Sequence, residues 1–202
     1  MQKLLIGTKN PGKIREYKDF FKDLPLEIVS LSDIGIDDDV EEKGKTYKEN
    51  AQLKALFYAK KSNLPTISDD GGIEIDAFGG APGIKSHRWL GYEMTDAELI
   101  EHMKKVSREL DDNNRHASFK LVIAFALSNG RMWTKIGTVD GIISENPNLK
   151  PLKGYPFRSF FFLPDINKHY HESELTAEEM REYNHRYKAV VQILPIIKEQ
   201  LV

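Results

Sequence analysis

Residues 3–21 read KLLIGTKNPGKIREYKDFF, and this stretch decides the fold class. The apolar run Lys3–Gly7 predicts a buried first strand. Pro11 and Gly12 mark a turn, and the helical spacing of the apolar residues beyond it predicts a helix over Lys13–Phe21. A strand that runs through a glycine-containing turn into a helix is typical of an α/β protein.

The rest of the chain alternates helices and strands at first and then becomes strand-rich. Strands are predicted at Leu26–Leu31, Thr66–Ser68, Ile73–Ala77, Ala117–Leu127, Met132–Ile143 and Ser159–Leu163. Helices are predicted at Thr46–Ser62 and after the capping-box pairs Thr95/Glu98 and Thr176/Glu179. Turns are predicted at Ser68–Gly72 and Ser128–Gly130. No break in composition divides the chain, so we expect one mixed α/β domain over residues 1–202.

Composition excludes several classes of protein. The chain has no cysteine, which rules out disulfides and thiolate chemistry. A net charge of -2 gives no sign of a nonspecific nucleic-acid binder. The longest apolar runs, such as Leu121–Leu127, fall far short of the roughly 20 residues that a membrane helix needs. The N-terminus opens directly into a strand without a signal-peptide core, so we expect a soluble cytoplasmic protein with no membrane or nucleic-acid partner.

The loop Thr8–Lys13 is a candidate phosphate-binding element. Backbone N–H groups and the positive end of a helix favour anions there, and Thr8 and Asn10 add polar side chains. The loop lacks the GxxxxGK[ST] pattern, so an ordinary joint with a surface lysine is equally compatible with these residues alone. Asn50 and Lys54 share one face of the next predicted helix, where a solvated surface is the plainer interpretation.

Asp69 and Asp70 are the stronger candidates for chemistry. Adjacent carboxylates repel each other, which favours protonation of one of them or a cation nearby. Mg²⁺ binds through a few carboxylates and substrate phosphates, and Glu41 and Glu42 could complete such a site. The alternative is a hydrophilic turn.

Two further polar clusters occur late in the chain. His185 and Arg186 could donate to a base or a phosphate, although without further context a helix-surface pair is the favoured interpretation. The run His169–His171 has too few partners for a zinc site and is interpreted as surface.

Taken together, these motifs resemble the inosine triphosphate pyrophosphatase family over nearly the whole chain. The resemblance lies in the order of five segments: Thr8–Lys13, Tyr47–Ala55, Ser68–Ile73, Gly79–Arg88 and finally Leu163-Pro164 with His185-Arg186. It implies a two-lobed α/β fold with a long mixed β-sheet flanked by helices, a central cleft and usually a homodimer. It also implies that water attacks between the α- and β-phosphates of a nonstandard nucleoside triphosphate, such as dITP, ITP or XTP.

The resemblance assigns roles by position. Asp70 would be the general base, and Glu42 and Asp69 would hold Mg²⁺. The substrate-binding residues would be Thr8, Asn10, Lys13, Lys54, Gly71, Tyr155, Phe157, Arg158, His185 and Arg186. The two lysines would neutralise charge that develops on the phosphates, and the base needs only a hydrogen bond to the attacking water.

The chain departs from the family pattern in the segment that recognises the nucleobase of the substrate. The family's Gly-Phe-Gly-Tyr-Asp-Pro appears here as Gly154–Ser159, with Arg158 in place of the acidic residue. A carboxylate only accepts hydrogen bonds and a guanidinium only donates them, so a shifted base preference is expected. Met180, Asn184 and Gly71 replace a usual lysine, serine and serine.

Three alternatives remain at this stage. The first is the family's standard activity with Arg158 pointing away from the base. The second is a nucleotide-binding sensor or scaffold with little turnover, against which the presence of Lys13, Lys54, Asp69 and Asp70 argues. The third is an unrelated sugar-nucleotide enzyme of mixed α/β architecture.

Overall fold

A computed structural model describes residues 1–150 and 152–202. Within them the α-helices are Pro11–Phe20 (α1), Tyr47–Ser62 (α2), Asp96–Glu109 (α3), Ala177–Tyr183 (α4) and His185–Leu201 (α5). The strands are Gln2–Ile6 (β1), Leu26–Ser30 (β2), Thr66–Ile75 (β3), His116–Ala126 (β4), Met132–Ile143 (β5), Phe161–Leu163 (β6) and Lys168–His169 (β7). None of the helices described is long and apolar enough to cross a bilayer.

The strands follow one another in the sheet as β2-β1-β3-β4-β5-β6-β7. Strand β1 pairs in parallel with β2 and with β3. At the other end of the order, β6 pairs antiparallel with β5 and with β7. The sheet is therefore mixed, which confirms the predicted α/β class.

The chain forms two compact units. Unit 1 comprises residues 1–70, 121–137 and 186–202, and unit 2 comprises residues 71–120 and 138–185. The strands β3, β4 and β5 each run through a boundary between the two sets of residues.

In unit 1, helices pack against both faces of the strands, which gives three layers: α1 with α5, the strands, and α2. Residues on one face of β1 and β4 pack against α1 and α5: Leu4, Ile6, Leu121, Ile123 and Phe125 meet Tyr17, Phe21, Ala189, Ile193 and Ile197. The intervening residues of β4 meet the small residues of α2: Val122, Ala124 and Ala126 pack with Ala51, Ala55 and Ala59. Period-two alternation thus buries both faces of the strand.

Unit 2 has its own core, centred on α3. The helix begins at a capping box in which Thr95 and Glu98 bond each other's backbone N–H groups, as predicted. Its buried face, which includes Leu99, Met103 and Val106, belongs to one apolar cluster with Ile73 and with residues of β4 to β6.

The turn predicted at Ser68–Gly72 is wrong, because β3 continues through it. Residues 66–70 are buried along the strand, and the glycines serve close packing instead of a turn. The hydroxyl of Ser86 accepts a hydrogen bond from the backbone N–H of Ile73 at 3.1 Å and donates to the carbonyl of Gly83 at 2.6 Å. A Cβ at Gly72 would overlap both the Ser86 hydroxyl and the Gly83 carbonyl.

We therefore expect Gly72→Ala to destabilise the protein by about 1–3 kcal/mol, the range for overpacking a well-packed site. The clash involves a backbone carbonyl, which cannot move away as a flexible side chain can. The free energy of unfolding, measured with urea, checks the prediction. An unchanged midpoint would show that glycine is not required there.

Candidate functional site

The first group of predicted site residues surrounds Asp69 in unit 1. Lys13 donates to one oxygen of the Asp69 carboxylate at 2.7 Å, and the Nε of Arg186 donates to the other at 2.7 Å. Arg186 also donates to Glu16, and its guanidinium lies 5.7 Å from the ring centroid of Tyr17. These contacts bring α1, β3 and α5 together at one ionic cluster.

The charged groups around Asp69 determine the ionisation of its carboxyl. Burial by itself raises the pKa of the Asp69 carboxyl, but Lys13, Arg186 and Lys54 together hold that pKa well below its usual range. Burial lowers the pKa of the Lys13 amine, and Asp69 opposes that effect. The charged form of Asp69 is therefore favoured, and it joins two cations.

The phosphate-loop residues are partly engaged in shaping the loop. The side-chain oxygen of Asn10 accepts from the backbone N–H groups of Gly12 and Lys13 at 2.9 and 3.1 Å, which caps α1. The hydroxyl of Thr8 accepts from the N–H of Asn10 at 3.2 Å. These bonds fix the start of α1 and so place Lys13.

The second group surrounds Asp70 and Lys54, also in unit 1. Lys54 donates to Glu42 at 2.6 Å, and the side-chain amide of Asn50 donates to Asp70 at 3.0 Å. The amide oxygen of Asn50 accepts from the N–H of Gly44 at 2.8 Å, so Asn50 ties the loop before α2 to the carboxylate. Asn50 and Lys54 do share one helix face, and both side chains are used in contacts.

Asp70 differs electrostatically from its neighbour. Burial raises the pKa of the Asp70 carboxyl, and the nearby charge of Glu42 adds to the rise against the opposing effect of Lys54. Of two adjacent carboxyls, one is thus held ionised while the other is made more basic. When the pKa values of two neighbouring carboxyls are shifted in opposite directions, as for Asp69 and Asp70, the two groups are expected to have different roles.

The carboxylates of Glu42, Asp69 and Asp70 are chemically suited to bind Mg²⁺. The described residues contain no group of three or more His, Asp or Glu side chains placed to hold a metal. Mg²⁺ does not require one, because it binds through one or two carboxylates plus substrate phosphates and keeps several waters. Glu42 is paired with Lys54, whereas Glu41 extends into solvent and pairs with Lys43 at 2.8 Å. Glu42, Asp69 and Asp70 carry carboxylate oxygens, the type of ligand that Mg²⁺ binds.

The predicted base-reading residues lie in unit 2. Arg158 is buried, with its guanidinium carbon 3.8 Å from the ring centroid of Tyr155 and 4.3 Å from that of Tyr170. The hydroxyl of Tyr170 bonds the Nδ1 of His185 at 3.1 Å. Phe157 belongs to the core of unit 2 instead, and Gly71 lies within β3, half-buried.

Sequence reasoning missed three residues of these clusters. Glu16 and Tyr17 contact Arg186, and the available signal was that Glu16 lies three residues after Lys13 on the same helix. Tyr170 was interpreted as surface together with its histidine neighbours, but it is fully buried beneath Arg158. Tyr170 directly follows the two-residue strand β7, which is too short to give a periodicity from which the burial of Tyr170 could be predicted.

Comparison with known proteins finds relatives along nearly the whole chain. The model of the Ham1 family matches residues 4–196. The chain is 35% identical over 201 residues to a dITP/XTP pyrophosphatase of Escherichia coli K12, covering 98% of this chain and 99% of that protein. It is 32% identical over 198 residues to a dITP/XTP pyrophosphatase of Bacillus subtilis, covering 98% of each.

Solved structures give the same result. A HAM1 protein from Coxiella burnetii matches with a TM-score of 0.81 at 31% identity, over 98% of this chain and 100% of that one. The Ham1 protein of Staphylococcus aureus matches with a TM-score of 0.79 at 30% identity, with the same coverage. Sequence, fold and family match agree along almost the full length, and the chain belongs to the Ham1 family.

Proposed function

We propose that this protein hydrolyses nonstandard purine nucleoside triphosphates, dITP, ITP and XTP, to the nucleoside monophosphate and pyrophosphate. The protein is then a nucleoside triphosphate pyrophosphatase, a hydrolase of acid anhydrides. The proposal is supported above all by the Asp69–Asp70 pair: Lys13 and Arg186 donate to Asp69, and Asn50 donates to Asp70, whose pKa is raised by burial. The names of the curated relatives support it independently.

The residues of unit 1 have different roles in the proposed hydrolysis. Asp70 accepts the proton of the attacking water, which a carboxylate does through one hydrogen bond. Lys13 and Lys54 stabilise the negative charge that grows on the phosphates as the bond between the α- and β-phosphates breaks. Thr8 and Asn10 shape the loop that presents Lys13. Arg186 contacts Asp69 in the structure, so its role in substrate binding includes holding that carboxylate.

Mg²⁺ is the proposed metal, held by Glu42 and Asp69, with Asp70 left to act as the base. When bound, such an ion neutralises phosphate charge and orients water. Recognition of the nucleobase is assigned to Tyr155, Phe157, Arg158 and His185. Arg158 contacts Tyr155 and Tyr170, the Tyr170 hydroxyl bonds His185, and Phe157 belongs to the core of unit 2. Gly71, which directly follows the acidic pair, is assigned to substrate binding.

We further propose a homodimer in the cytoplasm, without nucleic-acid or membrane partners, formed by chains that are each a single domain of two lobes. The slightly negative net charge of -2 supports the lack of a nucleic-acid partner, since phosphate backbones are bound by excess positive charge. Sedimentation of the purified protein tests the dimer.

Magnesium dependence gives a direct test of the metal assignment. Pyrophosphate release from dITP should fall by about 100-fold or more in EDTA and return with added Mg²⁺, because a metal contributes several kcal/mol of charge stabilisation. Glu42→Gln should raise the magnesium concentration needed for half-maximal rate. Glu41→Gln is the matched control, since Glu41 lies exposed next to it and pairs only outward with Lys43 among the described contacts. Undiminished release in EDTA would contradict the proposal.

A further inference from the structure

Tyr17 is a fully buried tyrosine beside the ionic cluster of Asp69 in unit 1. It lies one helical turn after Lys13 on α1, so the two side chains share a face of that helix. Burial and the nearby charge of the Asp69 carboxylate together hold the pKa of the Tyr17 phenol well above its usual value. The phenol hydroxyl nevertheless meets no partner in hydrogen-bond geometry. A buried hydroxyl without a partner costs stability, so its place beside a charged cluster calls for a physical reason.

The ring of Tyr17 is held in place by its neighbours. It stacks on Phe21 with centroids 5.9 Å apart and planes 6° apart, and Phe20 meets it edge-on at 6.5 Å. The Arg186 guanidinium lies 5.7 Å from the centroid of the same ring. These contacts keep the hydroxyl beside the Asp69 carboxylate although it is not bonded to it.

The two cations that donate to Asp69 differ in what else they bind. Arg186 donates to one carboxylate oxygen at 2.7 Å and also to Glu16, so two carboxylates hold it. Lys13 donates to the other oxygen at 2.7 Å and is the proposed phosphate ligand. An anionic phosphate competes with Asp69 for the Lys13 ammonium group. One oxygen of a fully buried carboxylate then loses its donor, which is costly for a charged group.

We propose that Tyr17 is a positioning residue whose hydroxyl donates to the Asp69 oxygen that Lys13 releases when Lys13 turns to the triphosphate. This inference rests on the proposed function, because it takes Lys13 as a phosphate ligand. A phenol has one O–H to donate and a carboxylate only accepts, so the bond forms without proton transfer. Tyr17 thereby keeps the Asp69 carboxylate oriented while Lys13 is engaged, at the cost of an unbonded hydroxyl in the protein without substrate.

The test is Tyr17→Phe, which removes the hydroxyl and keeps the ring. The melting temperature without nucleotide should stay unchanged or rise, because the lost hydroxyl has no hydrogen-bond partner there. The kcat/KM for dITP with Mg²⁺ should fall about 10- to 150-fold, the contribution of one hydrogen bond to a charged group. A tyrosine with a purely structural role would lose stability and activity together.

Tyr58→Phe is the matched control. Tyr58 is also a buried tyrosine of unit 1, but its hydroxyl donates to the carbonyl of Asp38 at 3.2 Å. Its replacement should lower the melting temperature, because a hydrogen bond is lost, and should leave kcat/KM near the wild-type value.

Nucleotide binding is measured separately with Asp70→Asn, where no turnover is needed. The dissociation constant of dITP should be larger when Tyr17→Phe is added to that variant. Lack of dITP hydrolysis by the wild type would overturn the proposed function, whereas an unchanged kcat/KM or dissociation constant in Tyr17→Phe would overturn the role of Tyr17. A lower melting temperature of Tyr17→Phe, or its failure to fold, would overturn that role as well.

Discussion

Asp70→Asn should lower the turnover of dITP by about 100- to 10,000-fold while leaving its dissociation constant nearly unchanged. That range is the usual contribution of a positioned general base, and an amide cannot take a proton from water. The amide oxygen still accepts the hydrogen bond that Asn50 now donates to Asp70 at 3.0 Å, so the local geometry is kept. Steady-state rates of pyrophosphate release and calorimetric titration measure the two quantities separately.

The control for this prediction is Asp76→Asn. Asp76 is another aspartate at the end of β3, with an exposed side chain that pairs with His116 at 2.7 Å. Its replacement should leave turnover within a factor of two or so, since surface pairs contribute little. Full turnover by Asp70→Asn would refute the assignment of Asp70 as the base.

The same variant should be more stable than the wild type at neutral pH. Because burial raises the pKa of Asp70 in the folded protein, the folded state binds its proton more tightly than the unfolded state does. The stability contribution of Asp70 therefore declines as the pH rises above its unfolded pKa and stays reduced above the folded pKa. Asparagine removes this cost, and the melting temperature at pH 7 should rise.

Asp69→Ala should destabilise the fold by about 3–5 kcal/mol, the range for breaking a buried ion pair. The Asp69 side chain is fully buried, and its loss leaves Lys13 and Arg186 without the carboxylate that joins them. Denaturation by urea at pH 7 measures the loss. A cost as small as that of Asp76→Ala, the exposed counterpart, would contradict the anchoring role.

A second substitution separates lost charge balance from lost packing. Arg186→Met introduced with Asp69→Ala removes one of the stranded cations, so the double variant should cost less than the sum of the two single variants.

The pH dependence has a defined sign. The lowered pKa of Asp69 contributes stability that is complete above its unfolded pKa and is lost as the pH falls through its folded pKa. Asp69→Ala should therefore flatten the acid limb of the stability curve.

Much of the fold could be predicted because local patterns and tertiary structure agree. Both capping boxes, at Thr95 and Thr176, begin helices where the pattern indicates. The long strands β4 and β5 match their apolar runs to within a residue or so. The prediction of a turn at Ser68–Gly72 was wrong because adjacent glycines and aspartates occur both in turns and in strands that pack tightly. Only the contact of Gly72 with Gly83 and Ser86 distinguishes the two.

The predicted site residues of unit 1 do come together, since the motifs order them on α1, α2, β3 and α5. Their partners were not predictable from spacing. Glu16 meets Arg186 across 170 positions of sequence, and no local pattern encodes such a pair. The environment of Arg158 likewise depends on Tyr170, which lies twelve residues later, directly after the two-residue strand β7.

The most direct test of the central claim is product analysis of dITP hydrolysis by the purified protein with Mg²⁺, using phosphorus NMR. We expect dIMP and pyrophosphate in equal amounts, because water attacks between the α- and β-phosphates. The appearance of dIDP and inorganic phosphate, or the absence of any turnover, would contradict it.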